Sequence, residues 1–143
     1  AVVEQRQLSF CGVGDSRLYL CTADRFEQLT HDDSWVATVL ANEPGVDEAA
    51  LAHHPMRHVL TNVVGARDET EVDVIERQLE DGDTFLLCSD GLYGMLADDT
   101  LREILSQPLP VEQLAERLIV AALEKTASDN ITALVVRCGP DPA

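Results

Sequence analysis

Two aspartates stand where a sheet could aim them at a common point. The run Gly82-Asp83-Thr84-Phe85-Leu86-Leu87-Cys88-Ser89-Asp90-Gly91-Leu92 holds an apolar strand that ends at Asp90, and Ser128-Asp129-Asn130-Ile131-Thr132 puts Asp129 at the start of another. A carboxylate at a strand end is rigidly held yet can face a cleft, which is what a divalent-cation site requires. Oxygen ligands sit ~2.0–2.2 Å from Mg²⁺ or Mn²⁺, so two carboxylates sharing an ion should lie within about 5 Å of each other. Such a centre serves phosphate-ester hydrolysis by activating water and taking up charge on the phosphoryl oxygens. Each Asp also has a plainer reading as a turn former, and Asp15 in Gly14-Asp15-Ser16-Arg17 divides evenly between the two.

The elements around these residues can be read from their periodicity. Leu8, Phe10 and Gly12 alternate with Ser9, Cys11 and Val13 as in a strand. Gly14-Asp15-Ser16 reads as a turn, with residues 17–22 as the returning strand of a hairpin and residues 26–29 as a short third strand. A helix is expected from Ser34, capped by Asp33 or Ser34, with Trp35, Val36, Val39 and Leu40 on one face. Residues 42–57 are loop-like, with a brief helical patch at 47–52. Val72, Val74 and Ile75 mark another strand, and residues 80–83 a turn into Phe85-Leu86-Leu87-Cys88. That run lacks polar alternation and should be a central strand covered on both faces.

Farther on, Asp98 is expected to cap a helix carrying Leu101, Ile104 and Leu105. The helix after Pro110 has the strongest pattern, with Val111, Leu114, Ala115, Leu118, Ile119, Ala122 and Leu123 at three- and four-residue steps. Residues 131–137 read as the closing strand. Strands and helices are grouped rather than alternating, which predicts one α+β domain over residues 1–143.

Composition narrows the partners. The 143 residues include 26 acidic and 10 basic ones, a formal charge of −16, which argues against nucleic acid and anionic membrane as partners. No run reaches the ~18 apolar residues of a membrane span, and no leader opens the sequence. Cys11, Cys21, Cys88 and Cys138 form no CxxC pair and sit in strand-like runs, so free thiols in a reducing, cytoplasmic setting are expected. His31, His53, His54 and His58 fall in loop-rich stretches and read as solvated side chains. Gly12 and Gly14 lack the lysine and following helix of a nucleotide loop. Asn130-Ile131-Thr132 matches a glycosylation sequon, but at the start of a buried strand it carries no weight.

Taken in order, five strings resemble the metal-dependent (PPM, type 2C) family of serine/threonine protein phosphatases. They are Val13-Gly14-Asp15-Ser16-Arg17, Leu29-Thr30-His31-Asp32-Asp33-Ser34, His58-Val59-Leu60-Thr61 with Gly65, the 82–92 run, and Ser128-Asp129-Asn130-Ile131-Thr132. The resemblance implies an α-β-β-α sandwich of antiparallel sheets flanked by helices. It also implies a centre of two Mn²⁺ or Mg²⁺ ions with Asp90 and Asp129 as ligands, and a third, weaker ion at Asp15. No catalytic group beyond the metal ligands is implied. Residues 34–57 correspond to the family's flap beside the active site. The expected substrate is a phosphorylated protein in a bacterial serine/threonine kinase pathway. The Asn-Glu-Asp and Asp-Gly-x-Gly-Gly strings of the family's first half, and its phosphate-gripping Arg, do not occur here. The match therefore covers the C-terminal part of such a domain, and the alternative is an inactive pseudophosphatase or regulatory binding module.

Overall fold

The computed structural model of the protein describes residues 1–43, 45–47, 50–51, 54–66, 68–125 and 129–139. Two antiparallel sheets stack face to face. The first has three strands in the order β1 (Val2–Glu4), β2 (Gln7–Phe10), β5 (Ile75–Gln78), and the second has four in the order β4 (Phe26–Gln28), β3 (Arg17–Cys21), β6 (Thr84–Cys88), β7 (Ala133–Arg137). The helices are α1 (Trp35–Asn42), α2 (Asp90–Tyr93), α3 (Asp98–Leu105) and α4 (Val111–Glu124).

Side-chain alternation along β3 and β6 separates two cores. Tyr19, Cys21, Leu86 and Cys88 point toward the helices, where they pack with Leu92, Leu96, Leu101, Leu105, Leu114, Leu118 and Ala122. Leu18, Leu20 and Phe85 point the other way and meet Leu8 and Phe10 of the three-stranded sheet, with Leu29 and Leu79. The unbroken apolar run of β6 thus reflects a central strand covered on both faces, as expected. The layers run helices, four-stranded sheet, three-stranded sheet.

Several elements differ from the sequence reading. Residues 8–13 and 17–22 are not a hairpin, because β2 pairs with β1 and β5 while β3 pairs with β4 and β6. Segment 11–16 crosses between sheets, so Leu8 and Phe10 face Leu18 and Leu20 across the core instead of pairing with them. β1 was not foreseen. It is three residues long and exposed, and it turns into β2 through Gln5 and Arg6, both at positive φ, with neither Gly nor Asn marking the turn. Strand β5 begins at Ile75, leaving Val72 and Val74 outside it and exposed.

The helices keep most of their expected faces. Ser34 caps α1, its Oγ accepting from the Ala37 N–H at 3.2 Å. Asp98 is the first residue of α3 rather than its cap, a place Ala97 takes without a side-chain bond. On α4, Leu114, Leu118 and Ala122 are fully buried at four-residue spacing, whereas Leu123 is 59% exposed and belongs to the outer face. Part of the 47–52 patch, and His53, lie outside the described residues; Leu51 is buried and donates its N–H to the Asp47 carbonyl. No helix among the described residues is long and apolar enough to cross a membrane. The four cysteines are free thiols.

Two measurements check this packing. Leu118→Ala should cost about 2–5 kcal/mol in urea unfolding, against within about 0.5 kcal/mol for Leu123→Ala. Equal losses would mean that α4 presents a different face. Burial pushes the Cys88 thiol from about 9 up to about 12 and the Tyr19 hydroxyl from 10 to about 12, against the lowering effect of Arg17 on both. A raised folded-state pKa means that the folded state holds its proton longer than the unfolded chain does. This stability is complete below pH about 9 and is lost as pH rises toward 12. Urea midpoints should therefore decline from pH 9 upward, and less steeply in Cys88→Ala.

Candidate metal site at the sheet end

The pairing of β6 with β7 brings the two principal aspartates to the same end of the sheet. Cys88 lies opposite Ala133 in the ladder, so the residues that follow β6 and those that precede β7 leave the sheet side by side. The Ser89 hydroxyl joins them, donating to the Asn130 carbonyl at 3.1 Å and accepting from the Thr132 N–H at 3.0 Å. The Ser89 N–H adds a bond to the Thr132 carbonyl. Gly91 lets the two segments close up, because a Cβ there would stand 2.3 Å from the Asn130 carbonyl oxygen. Each carboxylate also accepts from the next backbone N–H, Asp90 from Gly91 at 2.9 Å and Asp129 from Asn130 at 2.7 Å.

Asp15 reaches this end from the segment that crosses between the sheets. Gly14 sits at φ +90, which a side chain would strain, and its N–H donates to the Asp33 carboxylate at 3.1 Å. The Asp33 N–H returns a bond to the Gly14 carbonyl at 2.8 Å, and Asn62 donates to the Asp33 carboxylate at 3.0 Å. Asp15, Asp90 and Asp129 line one open cleft of about 600 Å³, together with Arg17, Asp32, Val36, Arg57 and His58. Burial first, and the charge of Asp90 second, raise the Asp15 carboxyl above the ordinary aspartate value. His31 and His54 do not line the cleft. His54 stacks on Trp35 with ring centroids 4.5 Å apart. Of the Ser128–Thr132 string, Ser128 lies outside the described residues.

Sequence reasoning missed the cationic brace under the cleft. Arg17 donates Nε and Nη2 to the Asp32 carboxylate, the shortest contact being 2.7 Å, and Nη1 to the Tyr19 hydroxyl at 2.7 Å. Its guanidinium carbon lies 3.6 Å from the centre of the Tyr93 ring. Burial disfavours the charged guanidinium, but the bonds to Asp32 and Tyr19 outweigh it and hold Arg17 more firmly protonated than usual. The Tyr93 hydroxyl in turn donates to the Asp15 carbonyl at 2.9 Å. The signal for this brace was present in Arg17 and Asp32, since each stands within a quoted string. Nothing in sequence spacing links either to Tyr93.

Comparison with known proteins places this site. Residues 38–139 match the family described as Stage II sporulation protein E (SpoIIE). The chain is 36% identical over 136 residues to the serine/threonine phosphatase stp of Listeria innocua, covering 95% of this chain and 54% of that protein. The crystal structure of the S. agalactiae serine/threonine phosphatase superposes with a TM-score of 0.88 at 29% identity, covering 95% of this chain and 56% of that one. A PstP catalytic domain in complex with two manganese ions gives a TM-score of 0.84 at 32% identity, over 97% and 56%. The chain belongs to the PPM family of serine/threonine phosphatases. It corresponds to the C-terminal part of their catalytic domains and spans about half the length of the relatives it matches.

Within this PPM chain the donor set suits a hard cation in kind, being carboxylate oxygen throughout. It falls short in number. Among the described residues, no three of His, Cys, Asp and Glu converge closely enough to hold an ion by themselves. The cleft offers an open row of carboxylates rather than a closed cage. Gly91→Ala tests what sets that row. It should destabilise the fold by about 1–3 kcal/mol in urea unfolding, since the clash is with backbone. It should also shift the Ser89, Asn130 and Thr132 amide resonances, whereas Gly139→Ala, with open space around its Cβ, should do neither.

Proposed function

We propose that this chain supplies the C-terminal part of a catalytic domain that removes phosphate from phosphoserine and phosphothreonine in proteins, using Mn²⁺ or Mg²⁺. The observation that carries the reading is that Asp90 and Asp129, 39 residues apart in the chain, line one cleft with Asp15. Two metals make up the principal centre, with Asp90 and Asp129 as ligands, and Asp15 serves a third, weaker ion. The names of the matched relatives and the two manganese ions of the PstP structure support the assignment.

The chain's own residues do three things in this scheme. Asp90 and Asp129 concentrate negative charge at a fixed place on the sheet end, where a dication is needed to bring them together. When bound, the metals supply an activated water and neutralise phosphoryl charge. Arg57 and His58 on the flap side give an anionic substrate a partly cationic wall in an otherwise acidic molecule. The remaining carboxylates and the phosphate-gripping Arg come from the part of the domain outside these residues. A cytoplasmic setting and a partner serine/threonine kinase belong to the same proposal.

Joining residues 1–143 to the N-terminal part of the Listeria innocua stp catalytic domain tests it. The chimera should hydrolyse a phosphothreonine peptide in the presence of manganese, and Asp90→Asn should lower the rate by several orders of magnitude with the fold intact. Asp15→Asn should do less, because a third ion tunes the nucleophile rather than creating it. A folded, manganese-binding chimera that left phosphopeptide untouched would sink the proposal. Residues 1–143 alone should show no robust turnover of p-nitrophenyl phosphate in millimolar Mn²⁺. Turnover abolished by Asp90→Asn would instead show that the site is complete within them.

A further inference from the structure

Helix α2 is a single turn, Asp90–Tyr93, with a site carboxylate at its first residue and the bond to another carboxylate's backbone at its last. The Tyr93 hydroxyl donates to the Asp15 carbonyl at 2.9 Å, and the Tyr93 ring lies under the Arg17 guanidinium at 3.6 Å. Four helical residues span about 6 Å, so one rigid turn carries both attachments. We propose that Tyr93 is a positioning residue that fixes the distance between Asp15 and Asp90, and so sets the affinity of the cation held at the Asp15 end of the cleft. This inference rests on the metal reading of Asp15 given above.

Three observations carry the argument. First, Asp15 and Asp90 are like charges lining one cleft. The loop that bears Asp15 therefore gains by moving away unless something holds it. Secondly, the tie is made to the Asp15 backbone rather than its carboxylate, which leaves the carboxylate to the cleft it lines. Thirdly, Tyr93 is itself fixed on two sides. Arg17 stacks on its ring and is locked by Asp32, which also accepts from the Gln28 amide at 3.0 Å. A carboxylate pair preset at the right spacing binds a cation without first having to order its loop.

The test uses residues 1–143 and millimolar Mg²⁺ alone, an ion that one or two carboxylates hold weakly with water completing its shell, followed by amide chemical shifts of Ser16 at the Asp15 end and Asn130 at the Asp129 end. Tyr93→Phe keeps the ring under Arg17 and removes only the hydroxyl. It should raise the Mg²⁺ concentration at the Ser16 midpoint by about 3–10-fold, the worth of one hydrogen bond, and leave the Asn130 midpoint in place. In an Asp15→Asn background, Tyr93→Phe should add no further shift at Ser16, because the two act through one element. An unmoved Ser16 midpoint, an equal shift at both amides, or an undiminished effect in the Asp15→Asn background would each overturn the positioning role. If Asp15→Asn alone left the Ser16 response unchanged, the metal reading of Asp15 would fail as well, and with it this inference. That outcome is separate from a failure of Tyr93, in which Asp15→Asn weakens the Ser16 response and Tyr93→Phe leaves its midpoint unmoved.

Discussion

The close approach of the Gly91 and Asn130 backbones is the constraint on which the site depends. Antiparallel pairing delivers the end of β6 and the start of β7 to one edge, but pairing alone leaves the segments beyond the ladder free to diverge. The missing Cβ at Gly91 allows contact, and the Ser89 hydroxyl uses both of its hydrogen-bonding capacities to keep it. Asp90 and Asp129 each follow or precede this junction by one residue. Their mutual position is therefore a property of backbone geometry, with little left to side-chain freedom.

Charge sets the second constraint. A chain of formal charge −16 that gathers carboxylates in a cleft pays in repulsion, and in the absence of cations that repulsion favours opening. The structure answers with a half-buried cation. Arg17 satisfies Asp32 with two donor groups, Tyr19 with a third, and the Tyr93 ring with its face, which a lysine could not do at once. The brace lies on the helix side of β3, so it couples the sheet to α2 and to the Asp15 loop. It pairs with Asp32, itself a lining residue of the cleft, and leaves the Asp15, Asp90 and Asp129 carboxylates without an arginine partner among the described contacts.

The apolar surface is also exposed along the open sheet edges. Leu134 and Val136 on the edge strand β7 are 55% and 40% exposed, and Val2 and Val3 on the edge strand β1 are exposed as well. Open edges with apolar side chains are the usual sites of further pairing. Their presence agrees with the share of its relatives that the chain spans.

Local pattern was enough to give the α+β class, the central position of β6, the Ser34 cap and most of the α4 face, because each depends on side-chain periodicity within a few turns. The order of five short strings was enough to show the family. Sequence also singled out Asp90 and Asp129, since a carboxylate at a strand end is visible in one dimension, and the resemblance added Asp15 from a turn. Tertiary structure alone decided that β2 and β3 belong to different sheets, because the same alternation serves a hairpin partner or a facing layer. It alone tied Tyr93 to Asp15 across 78 residues and laid Arg17 over the Tyr93 ring. It alone showed why position 91 is glycine, since a 2.3 Å contact with a carbonyl 39 residues away leaves no trace in local sequence. Periodicity records which face a residue turns to the core, and only the packed chain determines what it meets there.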